Sequence, residues 1–444
     1  MKKLSLTSLM LFLALTLVLT ACGSGSNGNN KPANEGSSNS GAASTAQPSD
    51  EKVKITMVNS KSEIQQQLVD ASKVFMSANP NITIEILVTS GSQSPFEKVS
   101  TLYASGTPAT LNMLDAGDIV KFKDRAADLS NEKWVADLAQ SNEIDGKTLA
   151  FPFSVEGYGL IYNQAILDQV VGGTFDPTTI NTTNALEELF KKIQDAGINP
   201  LIIGSMDWSV GNHYLPIAYA AQPSGDVAAF LEDLKAGNVD LTSNAQFNGL
   251  MDTFDVMKKY NQGIKSPLTV TYENTAAAIA KGEAAITFNG NWIMPEILKS
   301  NPTSDFGFIP VPISNDASDK ANASIAVGAT KQIFIDKDMN SEAQQAAAKK
   351  FLEWLVYDAA GQDFLVTKAG VIPGFKNITL EPTDSLSIAV KNYNNAGNSI
   401  EFAGNFVPGD HWQVLGASMQ KYLVDKHDRA GLANDVVNYW KSIK

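Results

Sequence analysis

The sequence predicts an α/β protein whose sheets are covered by helices, and three adjoining segments carry that prediction. Val53, Ile55 and Met57 alternate with polar residues, as a half-buried strand does. Ile64, Leu68, Ala71 and Phe75 then recur at helical spacing, one apolar face of a helix. Asn79-Pro80-Asn81 stops it, and Ile82, Ile84, Ile86 and Val88 alternate again. Strand, helix and strand in that order predict a parallel pair joined by a right-handed crossover.

The unit recurs further on. Asn184 is placed to cap a helix that turns Leu186, Leu189, Phe190 and Ile193 inward. Gly197 ends that helix, and Leu201-Ile202-Ile203 forms a buried strand. Phe351, Trp354 and Leu355 mark another helix, and Leu432, Val436, Trp440 and Ile443 mark the last. Strands interleaved with helices pack as α/β layers. No fixed-period repeat points to a solenoid or a propeller.

Composition bounds the function. The 444 residues are 43% hydrophobic and 18% charged, which predicts two or three domains with ample cores. Lys and Arg total 34 against 47 Asp and Glu, a net charge of -13. So acidic a chain lacks the basic face that displaces counterions, and no nucleic-acid partner is expected. Only the first 21 residues hold a long apolar run, which excludes an integral membrane protein. A single cysteine excludes a disulfide framework within the chain.

That cysteine reads as an anchor. Lys2 and Lys3 precede an apolar stretch from Leu9 to Leu19, too short for a comfortable membrane span. Leu19-Thr20-Ala21-Cys22 follows and resembles the bacterial lipobox. The resemblance implies a signal peptide over 1–21, cleavage before Cys22 and a diacylglyceryl group on its sulfur. Such double acylation anchors a protein stably to a lipid bilayer. The mature chain would keep 423 residues and, having lost two lysines, carry a charge of −15. Residues 23–50 hold no large apolar side chain and three charges, so a disordered tether is expected over 22–52. At about 5–6 Å × √n it would hold the domain some 30 Å from the bilayer.

Catalytic patterns are missing. His213, His411 and His427 lie too far apart in sequence for a zinc motif, and no metal is expected. There is no G-x-S-x-G elbow, and no G-x-G-x-x-G follows a strand. The anchor consumes the only thiol. Paired carboxylates for glycoside cleavage remain an open alternative, because sequence spacing says nothing of their separation in space.

Four stretches together resemble the bacterial extracellular solute-binding proteins of the maltose-binding type, which capture sugars for ATP-driven import. They are Phe151-Pro152-Phe153-Ser154-Val155-Glu156-Gly157-Tyr158-Gly159-Leu160-Ile161-Tyr162-Asn163, the run Lys281 to Trp292, the run Phe306 to Pro312, and the run Ala346 to Pro373 around Phe351-Leu352-Glu353-Trp354-Leu355. The likeness covers nearly all of 53–444. It implies a two-lobed periplasmic-binding-protein-like fold of the class II type, with a ligand cleft between the lobes and a three-segment hinge. The crossings are expected near Val155–Gly159, Asn322–Gly328 and Lys368–Gly374, where Gly157, Gly159, Gly328, Gly370 and Gly374 can absorb backbone rotation. The N-terminal lobe would comprise 53–155 and 325–368, and the C-terminal lobe 156–324 and 369–444.

What the resemblance implies is a non-enzymatic, monomeric lipoprotein without cofactors. It would bind a carbohydrate and deliver it to the permease of an ATP-binding-cassette importer. Gly23 and the long tether suggest the outer face of a single-membrane cell, or the periplasm in a Gram-negative one. A sugar pocket mixes aromatic faces with planar polar groups. Trp292, after Asn289-Gly290, matches the family's stacking tryptophan, with a core role as the alternative. Glu156 matches a sugar-binding glutamate, with a hinge-stabilising ion pair as the alternative, and Tyr158 shares its crossing. Asp207 and Trp208, then Asn212 and His213, match a ligand-touching acidic and aromatic region. Trp412 matches a late family aromatic. Strand ends in open α/β sheets present ligands, which adds Ser60, Lys61 and Glu63 after the first strand and Asp115 and Asp118 after the strand around Leu111-Asn112-Met113. The family's Pro-Asp before that strand reads Pro108-Ala109 here, and the tryptophan of maltose binders is missing, so maltose itself is not implied. A surface hydrolase using Glu156 and Asp207, or a binder of a peptide or polyamine, are the alternatives.

Overall fold

The computed structural model describes residues 52–89, 93–139, 143–262, 265–301 and 305–443. The signal-like segment, Cys22 and the tether lie outside the described residues. No helix among the described residues is long and apolar enough to cross a membrane.

The strands are β1 (Val53–Asn59), β2 (Ile82–Val88), β3 (Leu111–Asp115), β4 (Phe151–Asn163), β5 (Asn199–Ile202), β6 (Ala284–Gly290), β7 (Phe306–Ile309), β8 (Ile325–Ile335) and β9 (Ser399–Glu401). They follow the order β2-β1-β3-β8-β4-β6-β5, with β7 also on β4 and β9 on β8. The pairs β1–β2, β1–β3 and β5–β6 are parallel, as the strand–helix–strand units require. β8 runs antiparallel to both β3 and β4. The helix Gln65–Ala78 buries Leu68, Ala71 and Phe75 and stops at Asn79, as expected. One detail differs. Thr182, not Asn184, caps the helix Thr183–Asp195, its side chain accepting from the Ala185 amide at 3.0 Å. Thr182 has the extended backbone that a cap needs, while Asn184 already lies in the first turn.

Two large apolar cores flank the centre of the sheet. One gathers Ile55, Met57, Phe75, Phe151, Ile333 and Phe351. The other gathers Leu160, Phe190, Leu201, Tyr214, Phe254 and Phe288. β4 and β8 pass from the first to the second. Phe151 and Phe153 lie in the first core and Leu160 and Tyr162 in the second; Ile333 and Ile335 lie in the first and Ala326 in the second. The two strands pair from Phe151↔Ile333 to Tyr158↔Ala326, with irregular register on either side of Ser154. A third pass meets them there, where the Val155 amide donates to the Ile372 carbonyl at 2.8 Å. These are the three crossings of a two-lobed fold. The third stays with the first core longer than expected, because Ala369, Val371, Phe375 and Ile378 all pack in it.

Candidate functional site: the cleft at the crossing strands

Strand ends bring the site together. β1 ends at Asn59, whose side chain holds the turn that follows. Its Oδ1 accepts from the Lys61 amide at 2.9 Å, and its Nδ2 donates to the Lys61 carbonyl at 2.9 Å and to Gln65 Oε1 at 2.8 Å. Lys61 is thereby turned inward and is 4% exposed. β3 ends at Asp115, and β6 ends at Gly290, just before Trp292.

The first wall is polar and paired. Lys61 Nζ lies 2.5 Å from Glu156 Oε1 and 2.6 Å from Glu63 Oε1. Thr330 Oγ1 donates to the other Glu156 oxygen. Lys331 Nζ lies 2.5 Å from Asp115 Oδ1. Burial alone would raise the Glu156 pKa, but Lys61 and Lys331 beside it overcome that and hold its carboxyl below the usual range. Burial works against the charge on Lys61, and Glu156 and Glu63 reverse the effect and raise its pKa. Lys331 behaves likewise, raised by Asp115 and Glu156 against its burial. Two ammonium groups thus face three carboxylates. A buried charge is tolerable when it is paired and hydrogen-bonded in this way. Asp118 stands apart. It is buried against Lys121 at 3.3 Å, and burial and the neighbouring Asp115 raise its pKa.

The second wall is aromatic, and His213 is its hub. The His213 ring lies 4.8 Å from Trp292, 5.1 Å from Tyr158, 5.4 Å from Trp208 and 5.4 Å from Phe402, centre to centre. Tyr272 extends the group beyond Trp208 at 6.0 Å. His213 and Trp208 ride on a π-helical turn, Ser209–Tyr214 and its cap, a distortion often found at functional sites. Burial pushes the His213 pKa down to about 4, so the ring is neutral at pH 7 and can both donate and accept. Asp207, just before that turn, has its pKa raised by burial, and its Oδ1 accepts from the Trp208 amide at 2.9 Å. Trp292 folds back over its own strand end. A Cβ at Gly290 would fall 2.1 Å from the indole, so only glycine leaves room there.

Beside the polar wall opens a cleft of about 390 Å³, lined among others by Lys61, Glu63, Gln67, Glu156 and Met294; of the aromatic group, Trp292 lines it. Several buried polar atoms at the strand ends and crossings have no hydrogen-bond partner in the protein: Ser60 Oγ, Ser154 Oγ, Tyr158 OH, Asn212 Oδ1 and Asn289 Nδ2. Such groups are costly unless something satisfies them. Among the described residues, no group of three or more His, Cys, Asp or Glu side chains could hold a metal ion.

The structure therefore brings Trp292, Tyr158, Trp208 and His213 into one wall and Lys61, Glu63, Glu156 and Asp115 into the other. Glu156 makes the ion pair that was the alternative for it and also lines the cleft. Trp412 makes no ring contact with the aromatic group; it sits at the start of the helix His411–Leu423, which packs on the π-turn. Phe402 takes part instead. Phe402, Tyr272, Thr330 and Lys331 were missed. Lys331 lies three residues beyond the second expected crossing, and that proximity was the only clue to it.

A fold of this kind, with a cleft beside its chain crossings, is that of a solute-binding protein. Residues 58–362 match the family model for the bacterial extracellular solute-binding protein, and the chain belongs to that family. Membership supports a binding role without catalysis. Among solved structures, RafE in complex with raffinose is similar at 18% identity and a TM-score of 0.74, over 88% of this chain and 99% of that one. A sugar transporter from Bacillus licheniformis in complex with stachyose is similar at 18% identity and a TM-score of 0.68, over 88% and 100%. Maltose-bound MalE3 from T. maritima is similar at 18% identity and a TM-score of 0.63, again over 88% and 100%. Comparison with curated protein sequences gives no match.

Proposed function

We propose that this protein captures a carbohydrate in the cleft and delivers it to the permease of an ATP-binding-cassette importer, tethered to the membrane through acylated Cys22. The observation that carries the sugar reading is the pairing of the two walls. Trp292, backed by His213, offers a face for sugar C–H surfaces, and the fixed polar groups at Lys61, Glu63 and Glu156 in the same cleft offer partners for hydroxyls. Orphaned polar atoms beside them suit a ligand rich in hydroxyls. The similar structures named in complex with raffinose, stachyose and maltose support the same class. Glu156 is ill suited to hydrolysis, because it is held ionised with both oxygens engaged. We assign the first lobe to 53–155 and to the chain from about Gly328 to Ile378, and the second lobe to the rest.

A thermal-shift screen of mono- and oligosaccharides tests this. A sugar at 100 times its dissociation constant adds about 2.7 kcal/mol, and Trp292→Ala should remove most of the shift while keeping the fold. A panel in which only peptides or amines raise the melting temperature would reject the carbohydrate. For the anchor, labelling with a palmitate analogue should vanish in Cys22→Ser.

A further inference from the structure

One segment of the second lobe reaches the first without any strand. Phe402, Ala403 and Val407 pack in the second core. Ile119, on the short helix Ala116–Ile119, packs in an apolar cluster with Val58, Leu114 and Phe334, beside the first core. Between these two places, side chains are missing at two positions. A Cβ at Gly117 would lie 3.0 Å from both the Asn405 and Val407 carbonyl oxygens. A Cβ at Gly409 would lie 2.2 Å from Asp118 Oδ1 and 2.4 Å from Lys121 Nζ. Neither glycine has positive φ, so close approach and not backbone conformation favours them, against backbone at Gly117 and against the ends of the Asp118 and Lys121 side chains at Gly409. The same segment is tied down at the crossing, where Asn405 Nδ2 donates to the Ala329 carbonyl at 3.1 Å. A Cβ at Gly328 would meet Phe402 Cβ at 2.7 Å. Phe402 in turn sits 4.8 Å from the Tyr158 ring and 5.4 Å from His213.

We propose that the strap 402–409 is a closure latch. It seats backbone-to-backbone on Gly117 and against Asp118 only when the lobes are together, and it carries that contact through Phe402 into the aromatic wall. Gly117 and Gly409 set how closely it seats. A latch of this kind holds a bound solute by resisting reopening, through its seat on Gly117 and Asp118. It also explains Asp118, which the sequence marks as a ligand contact and the structure places under the strap. The proposal depends on the two-lobed fold and not on the identity of the solute, so its test needs no ligand.

Hydrogen exchange read by mass spectrometry on the full chain in detergent provides that test. The amides of Asn405 and Phe406 bond to Phe402 and Ala403 carbonyls within the strap and report its order. In Gly117→Leu and in Gly409→Leu, amides of 402–409 and 116–122 should exchange about tenfold faster or more, with β1 and β6 as protected as in the parent. Gly173→Ala, where a Cβ meets nothing within 4 Å, should behave as the parent. If a leucine variant also loses protection in β1 and β6, Gly117→Ala decides, since its Cβ displaces the strap by only a few tenths of an ångström. Strap exchange at parental rates in the folded variants overturns the proposal. So does a parent strap as unprotected as theirs.

Discussion

Tyr158→Phe should make the protein more stable and its ligand weaker, a combination that ordinary core substitutions do not produce. The Tyr158 side chain is 1% exposed, and its hydroxyl has no partner in the protein. Burial raises its pKa, so the hydroxyl keeps its proton at neutral pH. Removing the oxygen leaves the ring contacts with Phe402 and His213 in place. An unsatisfied buried hydroxyl costs about 1–3 kcal/mol, and phenylalanine relieves that cost. A folded unit of about 390 residues unfolds with an entropy of roughly 0.8 kcal/mol/K, so the melting temperature should rise by about 1–4 °C. A solute that pairs with the hydroxyl forfeits about 0.5–1.5 kcal/mol, a two- to twelvefold loss of affinity. Scanning calorimetry reads the first effect and isothermal titration the second. A melting temperature that falls would show that the hydroxyl is satisfied in the free protein. A rise with unchanged affinity would show that the hydroxyl does not meet the solute.

Glu156→Gln leaves Lys61 with Glu63 alone, and breaking a buried pair in this way should cost roughly 3 kcal/mol at pH 7. Because the folded Glu156 pKa is depressed, its contribution is present above the unfolded value, about 4.3, and is lost as pH falls through the folded one. Urea midpoints of the parent and the variant should therefore converge on acidification, and a gap that stays constant down to pH 3 would remove Glu156 as the source. Gly290→Ala drives a methyl into the Trp292 indole and should shift tryptophan emission and weaken sugar binding together; unchanged emission would contradict the packing described.

The fold could be read from local alternation wherever one face of a strand is buried and the other wet. β2 is such a strand, buried at Ile82 and Ile84 and exposed between. β6 is buried at every position, its polar Thr287 and Asn289 included, so alternation there does not mark a wet face, and it is legible through motif likeness. The site was less accessible. Lys61 and Glu156 stand 95 residues apart, and nothing local announces that the turn after β1 aims Lys61 at β4. His213 is a candidate ligand contact by family likeness, but its role as a hub is not legible locally, because its ring neighbours come from β4, from the turn after β6 and from the strap as well as from Trp208. Phe402 lies in a segment of ordinary composition, and its role depends wholly on the glycines that let that segment approach.

The division of labour between the walls bears on how binding drives closure. The charged groups, at Lys61, Glu63, Asp115, Glu156 and Lys331, and the Thr330 hydroxyl sit at the ends of β1 and β3 and on the crossing strands. The aromatic rings other than Tyr158 belong to the second lobe. A solute can settle on the rings of an open form while the ion pairs remain intact, since their partners share a lobe or a crossing strand. Closure then brings a pre-organised polar wall onto the exposed edge of the solute, and little reorganisation opposes the new hydrogen bonds. A ligand can favour closure only by the difference in its affinity for the two forms. In the proposed binding mode that difference would reside in the polar wall, so substitutions there should weaken closure more than encounter, and substitutions among the rings the reverse.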